Sequence, residues 1–256
     1  MNTASPSQTL DAILAADDVV SSLWAAIDNG VIDELVPELP VLRMEQDPIH
    51  RHKDVLAHTV AVVSQSPNDP IVRLAALFHD IAKPRTRSFE HGGVTFRHHE
   101  VVGGRMTRKR LTAMGYEESV VEDVADLVRM SGRFKGYADG WSDAAVRRYA
   151  RNAGPLLGRL NLLVRADCTT RNKAKAAALQ ASIDELEQRI AELAEQDRRS
   201  AERPQIDGAA VMTHLGISPG PEVGEIMRWL LELKRTEGEL SDNEVLARLD
   251  AYWASR

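Results

Sequence analysis

The sequence has little of what disulfide-stabilised and membrane-spanning proteins need. It contains a single cysteine, Cys168, which cannot form an internal disulfide. No stretch approaches the roughly 18 apolar residues that a membrane-spanning helix requires, and no secretory leader is recognisable in the first residues. We therefore expect a cytoplasmic protein with no membrane partner.

Aromatic residues are also few, at 5% of the 256 residues, whereas 43% of the residues are hydrophobic and 27% are charged. These values are ordinary for globular proteins and exclude collagen-like and wholly disordered chains. A chain of this length can bury most of the surface that its unfolded form exposes. The composition thus predicts one large or two small globular domains.

Lysine and arginine are missing from residues 1–42, which carry seven acidic residues. Residues 43–175 carry 23 basic and 15 acidic residues, and residues 176–256 carry 9 basic and 16 acidic residues. A positive middle segment suits a site for phosphate-bearing ligands, because the local field governs capture more than the net charge of -6 does. Solvated helix faces would produce the same segregation.

Apolar residues recur at helical spacing along most of the chain, which predicts an all-α fold. Asp69-Pro70 marks the start of one helix and Lys83-Pro84 its end. Residues 88–97 are the one strand-like stretch and indicate a small hairpin or a long loop. The predicted helices cover residues 10–28, 54–65, 70–82, 100–113, 117–130, 142–152, 155–168, 173–199, 207–215, 221–236 and 242–254.

Domain boundaries are predicted from composition. The segment from Arg198 to Pro204 is polar and ends in proline, which is typical of a hinge. We expect an N-terminal helical segment over residues 1–42, a body with one long helix over residues 43–200, and a C-terminal helical tail over residues 201–256.

The strongest candidates for chemistry are ligand-type residues set in apolar helices. His79-Asp80 follows the apolar run 74–78, His58 lies 21 residues earlier, and Asp167 lies far downstream. Two imidazoles and two carboxylates suit one divalent ion of the Mg, Mn, Ni, Co, Fe or Zn group and leave positions open for water and a phosphate oxygen. The alternative is an Asp80 that caps a neighbour or pairs with an arginine, beside an ordinary core histidine.

His58, His79-Asp80 and Asp167 resemble the H…HD…D signature of the HD-domain metal-dependent phosphohydrolase superfamily. The resemblance implies an all-α HD domain over residues 43–200 that holds one divalent metal with His58, His79, Asp80 and Asp167. Longer stretches are similar to the HD and C-terminal regions of bacterial CCA-adding tRNA nucleotidyltransferases: residues 47–54, 74–84, 96–103, 165–172, 207–208 and 216–221.

The sequence departs from that family in two respects. The nucleotidyl-transfer head, with its Gly-Gly-Ser loop, Asp-x-Asp pair and arginine-rich pocket, is not recognisable in these 256 residues. We therefore do not expect nucleotidyl transfer from this chain alone, and a separate head domain is a candidate partner. Ser131 stands where family members often carry a histidine, which favours one metal over two. A weakened or lost metal site is the alternative.

Further residues are candidates for contacting a substrate or supporting the metal ligands. We interpret Asp80 and Lys83 as catalytic residues, because a cation at Lys83 would balance negative charge on a phosphate. The alternative for Lys83 is a surface lysine that lies at a helix end because of the helix dipole. Of the neighbours His98 and His99, the resemblance slightly favours His99. Arg171-Asn172 follows the Asp167 segment directly and is a candidate phosphate contact.

Other basic and histidine residues have weaker claims. His50 and His52 are spaced like exposed loop residues at a substrate edge. A phosphate-tracking face on RNA or a solvated helix face would account equally for Arg105, Arg108, Lys109, Arg110, Arg147, Arg148 and Arg151.

Two functions follow from these residues. The first is a metal-dependent phosphohydrolase acting on a phosphomonoester or cyclic phosphodiester of a nucleotide or RNA end. The second is a tRNA-binding body and tail of a split or truncated CCA-adding tRNA nucleotidyltransferase, without catalysis of its own. A structural relic that has lost both functions is a third interpretation.

Overall fold

Helices form nearly all of the regular structure in the computed structural model, which describes residues 4–44, 54–90 and 93–256. The first helices are α1 (Pro6–Ala15), α2 (Val19–Asp28), α3 (Val31–Leu35), α4 (Val55–Gln65), α5 (Pro70–Phe78), α6 (Lys83–Thr86) and α7 (His99–Ala113). The later helices are α8 (Glu118–Met130), α9 (Asp143–Ala153), α10 (Leu157–Ala166), α11 (Lys173–Ala201), α12 (Gly208–Leu215), α13 (Pro221–Glu237) and α14 (Asp242–Ala254). Short 3₁₀ helices cover Pro40–Leu42, Arg133–Asp139 and Gly154–Leu156. The predicted all-α fold is confirmed.

Side-chain caps explain why many helices begin where the sequence indicates. An aspartate or serine before the first turn accepts a hydrogen bond from a backbone N–H group that has no partner inside the helix. Residues with this role are Ser5, Asp18, Asp54, Asp69, Ser142, Asp207 and Ser241.

The predicted helix over residues 10–28 is wrong, because the chain forms two helices there. The first ends at Ala15, and the Asp18 carboxylate accepts a hydrogen bond from the Ser21 N–H to start the second. Two adjacent aspartates thus favour a new helix start over continuation of the apolar pattern.

The predicted helix over residues 70–82 is also shorter than expected. It ends at Phe78, and the following residues form tighter turns in which the Ile81 N–H donates to the Phe78 carbonyl. Pro84 does not stop a helix but lies in the first turn of α6, where its fixed φ is compatible with a helix start. His79 and Asp80 therefore lie in a turn, free of the strict helical spacing.

The strand-like stretch forms a hairpin, which is one of the two structures predicted for it. Strand β1 (Ser88–Glu90) pairs antiparallel with β2 (Gly93–Thr95), and Phe89 lies opposite Val94.

The chain divides into two compact units, Met1–Ile190 and Ala191–Arg256. In the first unit, α5 is buried from Ile71 to Phe78 and packs against α1, α4, α8 and α10. In the second unit, a separate core consists of Val211, Ile226, Leu230, Val245 and Leu249. The predicted boundaries at residues 42 and 200 remain predictions.

No helix in the described ranges combines the length and the apolar character that crossing a bilayer requires.

Candidate metal centre

Three helices deliver the candidate ligands to one place in the first unit. His58 lies in the first turn of α4, whereas His79 and Asp167 each directly follow the last residue of their helices, α5 and α10. The C-terminal end of a helix carries partial negative charge from its unpaired carbonyl groups. Two such ends beside the ligands create an environment that favours a cation.

The ligand atoms of these residues converge. His58 Nε2 lies 3.0 Å from Asp167 Oδ1 and 3.4 Å from His79 Nε2, and His79 Nε2 lies 3.7 Å from Asp167 Oδ1. One ligand atom from each of the three residues lies within 4.8 Å of the others. The predicted meeting of His58, His79 and Asp167 is thus present in the structure.

Hydrogen bonds on the opposite ring nitrogens orient the two imidazoles. His79 Nδ1 lies 2.7 Å from the Ala76 carbonyl oxygen. A carbonyl only accepts, so Nδ1 carries the proton, and in the neutral ring Nε2 presents a lone pair to the cluster. His58 Nδ1 lies 3.0 Å from the Thr169 hydroxyl, so Nε2 of His58 also faces the cluster. Partners of this kind commonly orient histidines that bind metals.

The donor set fits a divalent metal. With the proton on Nε2 removed, each imidazole presents a lone pair to the space that the ionised Asp167 also faces, and such atoms repel one another unless a proton or a cation lies between them. Mixed nitrogen and oxygen donors suit Mg, Mn, Ni, Co, Fe or Zn without choosing among them. The cluster is therefore chemically a candidate His/His/Asp metal site.

Asp80 borders this cluster and is held by a buried ion pair. Its Oδ2 lies 3.2 Å from His79 Nε2, 3.7 Å from His58 Nε2 and 2.7 Å from Lys83 Nζ. Asp80 is not among the three residues whose ligand atoms all lie within 4.8 Å of one another. Lys83 is only 5% exposed, so it is not the surface lysine that the sequence left as an alternative. Its ammonium also lies 5.5 Å from the centre of the Phe96 ring.

The structure separates the two neighbouring histidines. His99 is buried, and its Nε2 lies 3.5 Å from Asp80 Oδ1. Its Nδ1 lies 2.7 Å from the Phe96 carbonyl, which orients the ring as in His79. His98 is exposed at the start of α7 with a φ of 60°. Of the two, His99 is the one that reaches the site.

Charges within the cluster shift the pKa values of its acids and bases. Burial opposes ionisation of Asp167, but the hydrogen bond from His58 and the charge of His79 outweigh it and lower the pKa of Asp167 to about 2. Burial likewise opposes ionisation of Asp80, yet His79, Lys83 and His58 hold its pKa well below the usual range. For His79, burial disfavours the charged ring, but Asp80 and Asp167 raise its pKa overall. A metal would have to compete with that proton, so binding should strengthen with rising pH.

The remaining predicted residues lie around this centre or outside the described ranges. Arg171 and Asn172 are exposed between α10 and α11, and the Asn172 side chain accepts a hydrogen bond from the Lys175 N–H. Ser131 donates to the Val128 carbonyl. His50 and His52 lie outside the residues that the structure describes.

Part of the predicted basic face is already paired with acidic residues. Arg108 contacts Glu122 at 2.5 Å, and Arg110 contacts Glu38 at 2.7 Å. These ion pairs reduce the positive potential that the sequence alone indicates on α7.

Sequence reasoning missed two participants. Thr169 supports His58, and the only available signal was its place two residues after Asp167. Lys135 lines a cavity beside Asp167 but lies in the short 3₁₀ helix Arg133–Asp139, where a single lysine gives no pattern.

Comparisons with known proteins agree with this geometry. A family model described as HD domain matches residues 52–194, which include His58, His79, Asp80 and Asp167. An A-adding tRNA nucleotidyltransferase from Deinococcus radiodurans is 32% identical over 255 residues, covering 96% of this chain and 57% of that protein. A CC-adding tRNA nucleotidyltransferase from Thermus thermophilus is 32% identical over 234 residues, covering 88% of this chain and 50% of that protein.

The chain thus spans about half the length of the curated relatives that it matches. The family match covers more than half of the chain and coincides with the helices that carry the ligand cluster. On sequence and fold together, this chain belongs to the HD-domain family.

Proposed function

We propose that the chain is a metal-dependent phosphohydrolase that acts on a phosphomonoester or cyclic phosphodiester of a nucleotide or RNA end. The observation that carries this proposal is the convergence of His58, His79 and Asp167, in which Nδ1 of each imidazole is held by a hydrogen bond. Membership of the HD-domain family supports the reaction class. The nucleotide or RNA substrate is supported by the names of the two relatives.

In this proposal His58, His79, Asp80 and Asp167 hold one divalent ion. When bound, such an ion lowers the pKa of a coordinated water and polarises a phosphoryl oxygen. The protein positions the metal-binding side chains before a metal binds, because the helices and the hydrogen bonds at the two Nδ1 atoms fix their orientation.

Asp80 and Lys83 would act as a pair. The Lys83 ammonium holds the Asp80 carboxylate at 2.7 Å and keeps it ionised in a buried setting. The same positive charge would stabilise negative charge that develops on the phosphoryl group. His99 would keep Asp80 oriented from the other carboxylate oxygen.

The direct test is turnover by the purified chain supplied with Mn²⁺, Ni²⁺ or Mg²⁺, using bis-p-nitrophenyl phosphate and cyclic nucleotides as substrates. We expect the wild type to hydrolyse at least one of these and the double variant His79→Ala/Asp80→Ala to lose both bound metal and turnover. His214→Ala removes a histidine from the second unit and is the matched control, with turnover expected to be unchanged. Equal turnover by the wild type and the double variant would refute the proposal.

A second candidate function is favoured by the nature and length of the relatives. Both are tRNA nucleotidyltransferases, and the chain matches only about half of each. The chain would then serve as the tRNA-binding body and tail of a split or truncated enzyme, with a separate nucleotidyltransferase head as its partner.

Binding measurements distinguish the two candidates. Under the second, the chain binds tRNA with an affinity that falls steeply with salt and shows no metal-dependent turnover. Failure to bind tRNA at low salt would exclude it. Both candidates place the protein in the cytoplasm, where Cys168 would remain reduced.

A further inference from the structure

A cavity of about 200 Å³ opens beside the ligand cluster. Its walls come from Ser131 after α8, from the 3₁₀ helix Arg133–Asp139, from α10 with the residues that follow it, and from α11. Every lining residue belongs to the first unit. Asp167 is one of them, so the cavity and the candidate metal centre share a side chain.

The cluster reaches solvent on the side of Asp167. The side chains of His58 and His79 are 10% and 4% exposed, whereas that of Asp167 is 33% exposed. Because Asp167 lines the cavity, a compound bound at the cluster would have the cavity next to it.

The cavity walls are mainly apolar. Phe134, Val164 and Leu179 contribute hydrocarbon surface, and Ser182 adds a hydroxyl that already donates to the Ala178 carbonyl. Such walls gain free energy by covering an apolar or aromatic group and gain little from a strongly hydrated one. They suit a nucleobase better than a sugar phosphate or an inorganic polyphosphate.

The size of the cavity limits the ligand further. Pockets for drug-sized molecules usually measure about 300–1,000 Å³. A cavity of about 200 Å³ is smaller than these and holds one ring system. A single terminal nucleoside fits this description, whereas a base-paired end does not.

Lys135 supplies a positive charge at the same place. It is exposed, it lines the cavity, and its ammonium is close enough to His99 to act on it electrostatically. His99 in turn contacts Asp80. Lys135 and Asp167 thus line the same cavity, whereas the other nearby lysine, Lys83, is already engaged with Asp80.

We propose that this cavity binds the nucleobase end of a single nucleotide unit while its phosphate lies at the His58, His79 and Asp167 cluster, with Lys135 contacting the phosphate from the rim. This inference rests on the proposed phosphohydrolase function and narrows its substrate to phosphates that carry one unpaired nucleoside.

Calorimetric titration with compounds that cannot be hydrolysed tests the proposal without relying on turnover. In the presence of Mn²⁺, the wild type is titrated with an adenosine phosphonate and with ethylphosphonate, which lacks the nucleoside. We expect the adenosine compound to bind about tenfold more tightly, a difference of ~1.4 kcal/mol. Lys135→Met should weaken both compounds by a similar factor.

Two substitutions fill the cavity from opposite walls. Ser182→Trp on α11 and Ala138→Trp on the 3₁₀ helix should each abolish the preference for adenosine while leaving ethylphosphonate binding unchanged. Ala181→Trp is the matched control, because Ala181 is exposed on α11 and does not line the cavity. It should retain the preference.

The outcomes separate this inference from the proposed function. Equal wild-type affinity for both phosphonates would overturn the cavity assignment and leave the phosphohydrolase proposal standing. A preference that survives both filling substitutions would overturn it as well. Failure of the wild type to bind either compound would also overturn it, and the turnover experiment would then decide the proposed function separately.

Discussion

At the scale of single residues, Lys83 and Asp80 form an ion pair in which both charges are shielded from bulk water. The two residues are 5% and 2% exposed. Removing one member of a buried pair leaves the other charge without compensation, which costs far more than losing an exposed pair.

We expect Lys83→Met to lower the free energy of unfolding of the metal-free protein by about 3–5 kcal/mol, measured by urea denaturation. Lys83→Met/Asp80→Asn removes both charges and should recover much of that loss. Arg108→Met breaks the half-exposed pair with Glu122 and should cost less than about 1 kcal/mol. Similar losses for Lys83→Met and Arg108→Met would show that the Asp80 pair does not stabilise the fold as described.

The neighbours His98 and His99 offer a matched comparison. Asparagine tolerates the positive φ of His98 and cannot replace the imidazole of His99. We expect His99→Asn to reduce metal affinity or turnover by about 10–100-fold, as is common for residues that orient metal ligands. His98→Asn should stay near the wild-type value in the same metal titration. Equal effects would mean that the contact between His99 and Asp80 does not matter.

At the scale of elements, α7 and α8 approach closely because Gly104 has no side chain. A Cβ atom at Gly104 would lie 2.9 Å from the Ala125 carbonyl oxygen, so a backbone would have to move. A Cβ atom at Gly158 in α10 would meet nothing within 4 Å.

Substitution by alanine should therefore change the free energy of unfolding in opposite directions at the two glycines. Gly104→Ala should lower the free energy of unfolding by about 1–3 kcal/mol, whereas Gly158→Ala should raise it by about 0.5 kcal/mol. Thermal or urea denaturation of both variants measures this. A stabilising Gly104→Ala would contradict the close packing of α7 on α8.

Tyr116, which follows α7, is tied to α1. Its hydroxyl donates to Asp11 Oδ1 at 2.7 Å. Burial raises the pKa of Tyr116, and the Asp11 carboxylate adds to the increase. The folded state therefore keeps this proton at a pH where the unfolded chain, with an ordinary pKa of about 10, has lost it. Stability from this group is present below about pH 10 and declines as the pH rises above it.

We expect Tyr116→Phe to lower the free energy of unfolding by about 1 kcal/mol near neutral pH, from the lost hydrogen bond. The gap between wild type and variant should narrow above about pH 10, because only the wild type loses this ionisation-linked stability. Urea denaturation at both pH values measures the gap. A gap that widens at alkaline pH would contradict the assigned direction of the pKa shift.

Helix positions were predictable where local chemistry marks them. Ser142 and Ser241 place the starts of α9 and α14 within a residue of the prediction, because a capping hydroxyl acts on its own neighbours. The turn that carries His79 was missed because the apolar pattern continues through it to Ala82. Local periodicity reports which residues are buried and not where the hydrogen-bond pattern tightens.

The residues of the candidate site were predictable from the sequence, whereas the contacts that support them and the cavity beside them were not. His58, His79 and Asp167 are separated by long stretches of chain, and their convergence was predicted from their residue types in apolar helices together with the resemblance, because spacing along the chain does not show it. The hydrogen bond from Thr169 and the cavity beside Lys135 depend on how α10, α11 and the 3₁₀ helix pack. Packing between distant elements leaves no local pattern.

At the scale of the whole molecule, the two compact units have separate cores. Every residue of the ligand cluster lies in the first unit, and Leu249 is fully buried in the core of the second. Damage to the second core should therefore leave the candidate metal centre intact.

We expect Leu249→Ala to destabilise the second unit by about 2–5 kcal/mol and to speed its proteolysis. Bound metal and metal-dependent turnover should not change. Leu77→Ala, in the buried α5 that precedes His79, is the comparison and should reduce bound metal. Metal loss in Leu249→Ala would show that the centre depends on the second unit.

The single cysteine gives the protein a reporter of its own. Cys168 is a free, partly exposed thiol in the wall of the cavity, next to Asp167. A thiol-directed fluorophore or spin label would therefore attach to these 256 residues at one position, with no engineered cysteine and no competing thiol. Entry of a small molecule into the cavity would be read from the label's signal or from protection of the thiol against alkylation, even before any substrate is known.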